Sequence, residues 1–219
     1  NPLFGSPIKK AENADLKNSY STADLSNSGF VALGSTYLWQ FTPDGGLIQL
    51  KSTNLPQSTA VATYLSNIYL ISPSENQVVR YTKSGANLSG KTNMLRNTIP
   101  GELNGSKSMA VFGNIFVAKN NGIILFEQGE ERSFKINNLP SNFGGIQYLY
   151  YNQAGNYFLV LNSDSKRLGL LELDSEAAYF KKSFALTDDA IISSFTMDPK
   201  TSQIFVNSGS KIISFKLEK

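Results

Sequence analysis

Any acid–base chemistry in these 219 residues has to be done without histidine or cysteine, since the sequence contains neither. That removes the usual general base, the commonest zinc ligand, the partner of a serine nucleophile, and every thiolate nucleophile, disulfide and thiolate metal site. Carboxylates, lysines and tyrosines are left. Asp24, Glu102 and the adjacent Asp188 and Asp189 are the carboxylates expected on an inner strand or in a loop entering one. Hydrolysis by two carboxylates needs a defined separation between them, and no spacing in this chain fixes one. Turn closure by Asp24 and a solvated loop at Asp188 and Asp189 are the simpler reading. The run from Asn162 to Lys166 opens like a calcium loop, but Lys166 stands where an oxygen ligand is needed and no glutamate follows at the right distance. A hairpin turn is expected there, and no metal site or cofactor anywhere.

Binding is the function that this residue set favours, and two segments are long enough to carry it. Ser89 to Lys107 and Asn137 to Gly145 both exceed hairpin length, and long loops of this kind are often functional. Arg96, Glu102, Asn104 and Lys107 offer opposed charges and an amide in the first. Asn142 and Phe143 offer an amide and an aromatic expected to be exposed in the second, and Asp188 and Asp189 join them as candidate contacts. Tyr148, Tyr150 and Tyr151, close together on one strand, are candidates for a stacking surface. The expected ligand is a protein, a peptide or a glycan. A net charge of +3, from 20 basic and 17 acidic residues in mixed order, does not make the one-sided basic face of a nucleic-acid binder. No apolar run approaches the roughly 20 residues of a membrane-spanning helix, so no membrane insertion is expected. The chain starts without methionine, either as a mature form or as part of something longer.

The elements that must position these residues are legible as a repeat. The stretch from Gly29 to Pro56 recurs nearly element for element from Asn114 to Pro140: FVAL answers to FVAK, YLWQF to IILF, PDGG to EQGE, and both end in N-L-P. Weaker copies start at Ile68, Tyr157 and Ile204. Aligned on the aromatic near the start of each second strand, the copies place Phe30, Tyr69, Phe116, Phe158 and Phe205 in register, 39, 47, 42 and 47 residues apart. A period of about 40–45 residues with four strands is that of a propeller blade. The expected fold is all-β: a five-bladed β-propeller of four-stranded antiparallel blades, a single domain over residues 1–219. First strands are expected near 18–25, 59–65, 108–113, 146–151 and 191–197. The fifth copy ends after its third strand, and residues 1–17, an extended lead-in, are expected to close the ring with a strand near Pro7 to Glu12.

Two strand–turn–strand runs, LISPSENQVVRY from Leu70 and LVLNSDSKRLGLLELD from Leu159, resemble the NHL and YVTN-type propeller repeats, with Ser72 and Asn162 in place of the usual turn aspartate. The chain is also similar to extracytoplasmic propeller domains of membrane-anchored bacterial proteins. The resemblance implies a monomeric interaction module outside the cytoplasm or at the cell surface. Carboxylate-dependent glycoside hydrolysis, or lactonase-like chemistry, is the alternative, and three carboxylates converging at a channel mouth would favour it.

Overall fold

The computed structural model describes residues 21–25, 29–34, 37–119, 122–174, 177–186, 192–198, 201–208 and 211–217. They form two compact units, Asn1–Asn104 with Gln128–Glu130, and Gly105–Glu127 with Glu131–Lys219. The first unit holds two antiparallel sheets, each in the order of its chain. One is β1 (Ser21–Asp24), β2 (Phe30–Leu33), β3 (Leu38–Phe41) and β4 (Leu47–Leu50). The other is β5 (Ala60–Tyr64), β6 (Asn67–Ser72), β7 (Gln77–Ser84) and β8 (Asn87–Asn93).

The second unit begins with β9 (Ser108–Phe112), β10 (Asn114–Lys119) and β11 (Gly122–Glu127), whose outer neighbour is the short β12 (Glu130–Arg132). After it, β13 (Lys135–Asn137) leaves that sheet for the next, which is completed by β14 (Tyr148–Asn152), β15 (Tyr157–Asn162), β16 (Arg167–Leu173) and β17 (Ala177–Ala185). The last sheet is β18 (Ile192–Asp198), β19 (Gln203–Ser208) and β20 (Lys211–Lys216), three strands among the described residues. The chain is therefore all-β, a five-bladed β-propeller with mostly four-stranded antiparallel blades. All five first strands fall in the segments expected. The proposed closing strand near Pro7 to Glu12 lies outside the described residues.

Burial follows the two-residue period of a strand, and each core forms where one blade lays a face on the next. Val31 and Leu33 of the first blade meet Ile68, Leu70, Val79 and Tyr81 of the second. Phe116, Ala118, Ile123 and Leu125 of the third meet Phe158, Val160 and Leu171 of the fourth. Leu159, Leu161 and Leu168 on the fourth blade's other face meet Ile204 and Val206 of the fifth. First strands are stitched together as well. Ser21 Oγ accepts from Val61 N at 3.0 Å, and Ser108 Oγ accepts from Leu149 N at 3.1 Å.

Pairing corrects the alignment of the repeat. The cross-strand partners of Phe41, Tyr81, Phe126, Leu171 and Phe215, one residue on each third strand, are Phe30, Ile68, Ile115, Phe158 and Ile204. Three of the expected anchors, Tyr69, Phe116 and Phe205, thus sit one residue along, and a one-residue shift turns a side chain to the opposite face. Matching by residue type favours aromatics; strand register is fixed by the hydrophobic pattern and by turn geometry.

The strongest pair of repeats shares one further device. After the outer strand of the first blade, Lys51 makes a parallel bridge to Asn87 beside β8. After that of the third, β13 pairs in parallel with β17, Lys135 opposite Ala177. The N-L-P that follows supplies a leucine to the shared core in each case, Leu55 in the first unit and Leu139 in the second. The segment from Arg132 to Ile136 is split by this crossing between β12 and β13.

Candidate functional site

The first long segment is shorter than expected, because Ser89–Asn93 belongs to β8; the loop runs from Met94 to Lys107. It is held by the hairpin turn that joins β6 to β7. Asn76 Nδ2 donates to Ile99 O at 2.9 Å, its Oδ1 accepts from Leu103 N at 3.4 Å, and its carbonyl accepts from Thr98 Oγ1 at 3.3 Å. Gln77 grips the backbone of Leu95 twice, Oε1 accepting from the amide at 3.0 Å and Nε2 donating to the carbonyl at 2.9 Å. Leu95 and Leu103 are buried on either side of these bonds. Asn76 has a positive φ of 48°, a conformation that asparagine tolerates better than most residues. Within the loop Ile99 is 66% exposed, Arg96, Asn104 and Lys107 are exposed, and Glu102 is half-buried.

The turn from Gln128 to Glu130 touches this loop. Arg96 N donates to Gly129 O at 2.6 Å. Replacing Asn76 by Ala removes two side-chain bonds and the residue best suited to the left-handed turn. The expected result is a loss of about 2 kcal/mol in denaturant unfolding, with the extra amide exchange confined to residues 95–103.

The second long segment differs from expectation at its aromatic. Phe143 is fully buried, not exposed. Pro140 opens a short 3-10 turn, Ser141–Phe143, that rolls the ring down onto the fourth blade, edge-on to Phe180 at 6.0 Å and directly over Gly169. Asn142 stays exposed beside it. Again a hairpin turn holds the loop. Asn162 Nδ2 donates to Gly145 O at 2.5 Å, Ser165 Oγ donates to Phe143 O at 2.8 Å, and Gln147 bonds Asp164 through Nε2 at 2.9 Å and Ser163 N through Oε1 at 2.8 Å. The run from Asn162 to Lys166 is that turn, with Asn162 Oδ1 accepting from Ser165 N at 2.6 Å. Asp188 and Asp189 lie outside the described residues.

The tyrosine cluster is dispersed by the strand period. Tyr148 and Tyr150 pack toward the fifth blade, while Tyr151 points the other way and stacks on Phe112, centroids 3.5 Å apart. Burial pushes the phenols of Tyr69, Tyr81, Tyr148 and Tyr157 above their ordinary range, so they remain protonated at neutral pH. Among the described residues no three acidic groups are placed so that they could hold a metal ion.

What sequence reasoning missed are the latches Asn76, Gln77, Gln147 and Asn162, and the exposed tip at Ile99. The signal available was the position of each Asn and Gln at a turn or strand end; their partners lie 16 to 27 residues away. A cleft of about 270 Å³ was also unforeseen. It lies in the second unit, lined by Gly122, Ile123, Phe134, Ile136, Leu139 and the backbone from Gly144 to Ile146.

No family model and no curated protein matches the sequence. Solved structures do resemble the fold. A chain of the nidogen/laminin complex is 12% identical, with 91% of this chain and 80% of that one covered, at a TM-score of 0.60. A candidate gluconolactonase is 10% identical, with 90% and 74% covered, at 0.66. YCF48 bound to D1 peptide is 12% identical, with 90% and 64% covered, at 0.53. Identity at this level establishes a shared β-propeller architecture and nothing finer.

Proposed function

We propose that this chain is a noncatalytic binding module that engages a protein or peptide through the loop from Met94 to Asn104, in the manner of NHL and YVTN-type interaction domains placed outside the cytoplasm. The observation that carries this reading is the combination, in one loop, of a backbone fixed at both ends and an apolar tip left in water. Ordering a loop is part of the cost of association, so a loop already latched by Asn76 and Gln77 binds with more of its contact energy intact. Ile99 supplies the apolar contact, and Arg96, exposed three residues before it, has no carboxylate partner among the described residues. The exposed amide of Asn104 and the ammonium of Lys107 are further along the same loop. A peptide-bound YCF48 and a laminin-bound nidogen among the structural neighbours support a polypeptide partner over a glycan. Metal-assisted hydrolysis is disfavoured, since no three acidic residues form a metal-holding group among the described residues.

Selection from a random peptide library displayed on phage tests the reading. Selected peptides are expected to bind with micromolar affinity, to lose about tenfold or more when Ile99 is changed to Asp, and to lose a smaller factor with Arg96→Ala. Peptides that bind the Ile99→Asp protein as well as the unaltered one would place the surface elsewhere.

A further inference from the structure

The latched loop ends in a reactive step that its hydrogen bonds do not protect. Asn104 and Gly105 are exposed, and they stand between two residues with no exposure at all, Leu103 and Ser106. Leu103 N donates to Asn76 Oδ1 at 3.4 Å and Asn104 N to Gly101 O at 3.0 Å, so the chain is held up to the step itself. Past that point the restraints stop. Neither the side-chain amide of Asn104 nor the N–H of Gly105 has a hydrogen-bond partner among the described residues. Gly105 has no Cβ to shield its nitrogen, and nothing lies within 4 Å of where one would stand. A free main-chain nitrogen thus follows directly on a free, exposed amide.

We propose that Asn104 is a self-modifying site, whose side chain condenses with the Gly105 main-chain nitrogen and so exchanges an amide of this loop for a carboxylate. The Gly105 nitrogen gives its proton to hydroxide and bonds to Asn104 Cγ. The Cγ–Nδ2 bond breaks, ammonia leaves with a proton from water, and a succinimide remains. Water then opens the ring on either side. Cleavage at Cγ gives aspartate in an unchanged main chain; cleavage at the main-chain carbonyl gives isoaspartate, which routes the backbone through the side chain and lengthens it by a methylene. In sum one water is consumed and one ammonia released, with no oxidant, metal or cofactor.

Comparable steps elsewhere are closed to this reaction. At Asn162-Ser163 the asparagine is buried, its Nδ2 donates to Gly145 O at 2.5 Å, its Oδ1 accepts from Ser165 N at 2.6 Å, and Ser163 N donates to Gln147 Oε1 at 2.8 Å. At Asp44-Gly45 the glycine N–H donates to Thr42 O at 3.0 Å. Bonds from the Thr42 hydroxyl and from Gly46 N hold the Asp44 carboxyl below its usual range, so it stays charged and resists attack. Gly122, in the chain's other Asn-Gly pair, opens β11 opposite Lys119. At Asn104 the product adds negative charge between Glu102 and Lys107, and in isoaspartate the extra methylene has to fit between Leu103 and Ser106, both fully buried. The effect on a ligand rests on reading the loop as a binding surface; the reaction itself does not.

The test incubates the intact protein at mildly alkaline pH and follows the tryptic peptide 97–107 by mass spectrometry, with fragmentation to locate the change. Conversion of amide to acid is expected at Asn104, as two separable products, and faster as pH rises. At Asn162 three hydrogen bonds have to break first, so conversion there is expected at least about a hundredfold slower. Asn104→Gln, which would have to close a larger ring, is expected to stay intact. As isoaspartate accumulates, amide exchange is expected to quicken over residues 95–106, whereas Asn104→Asp, with the charge on an unlengthened chain, leaves it slow. Glu-bearing peptides selected on fresh protein are expected to bind about two- to fivefold more weakly to aged protein and to Asn104→Asp, while aged Asn104→Gln keeps the affinity it had when fresh. No conversion at Asn104, or conversion no faster than at Asn162, overturns the inference and leaves the binding reading untouched. Conversion that leaves the binding of those peptides unchanged upholds the reaction and removes Asn104 from the binding surface.

Discussion

Phe143→Ala is expected to cost the protein about 3–5 kcal/mol and to lower its melting temperature by about 10 °C. The side chain is fully buried between the 3-10 turn and the fourth blade, and it meets Phe180 edge-on. Truncation therefore removes an aromatic's transfer energy and leaves a void that the strands around it cannot collapse into. The same position carries a reciprocal test. A Cβ built on Gly169 would lie 2.9 Å from Phe143 Cε2, so Gly169→Ala forces the ring aside, and the two substitutions are coupled instead of additive. Calorimetry of the single and double variants measures this. A Phe143→Ala protein that melts with the unaltered one would return the ring to the surface, where a ligand-binding aromatic belongs.

Gly129→Ala is expected to destabilise by about 2–4 kcal/mol, in two parts of different origin. Its φ of 86° lies in the left-handed region, which costs a residue with a Cβ about 1 kcal/mol or somewhat more. The added methyl would also stand 2.4 Å from the Met94 carbonyl oxygen, a backbone atom that cannot swing away as a side chain would. Gly45, in the corresponding turn of the first blade, separates the parts. Its φ is 85°, yet nothing lies within 4 Å of where its Cβ would be, so Gly45→Ala is expected to cost about 1 kcal/mol only. In Gly129→Ala the bond from Arg96 N to the Gly129 carbonyl gives way, and the peptide bond after Arg96 becomes the first site of tryptic cleavage. Equal losses at the two glycines, by chemical denaturation, would show that the close approach carries no energy.

Phe143 lies in a loop that the sequence marks by its length, and Gly129 in a turn whose distant neighbours the sequence does not show, and this separates what was legible from what was not. Hydrophobic alternation, turn residues and a period of about 40–45 residues are local signals. They suffice for five blades, for the five first strands and for the close kinship of the first and third blades, since most strands of a blade come from one stretch of chain. The shared N-L-P is likewise visible, and the structure gives its reason: Leu55 and Leu139 each pack on the core between two blades of their own unit, after a parallel crossing of the same kind.

Which face a residue turns to, and what a loop residue touches, are decided by contacts between distant segments. The anchors Tyr69, Phe116 and Phe205 were displaced by one residue because strand register comes from the ladder, and the ladder answers to the hydrophobic pattern and the turns instead of to aromatic identity. Phe143 looked like a surface aromatic because its neighbours Ser141, Asn142 and Gly144 are turn-formers; its burial depends on Gly169, 26 residues on, having no side chain. The latches at Asn76 and Asn162 are ordinary turn asparagines until the loops they hold are folded back over them. The cleft is the extreme case. It exists because the outer strand of the third blade lets go at Ser133 and joins its neighbour, a choice between two sheets that only the packed tertiary structure could make, since the residues from Arg132 to Ile136 suit either edge.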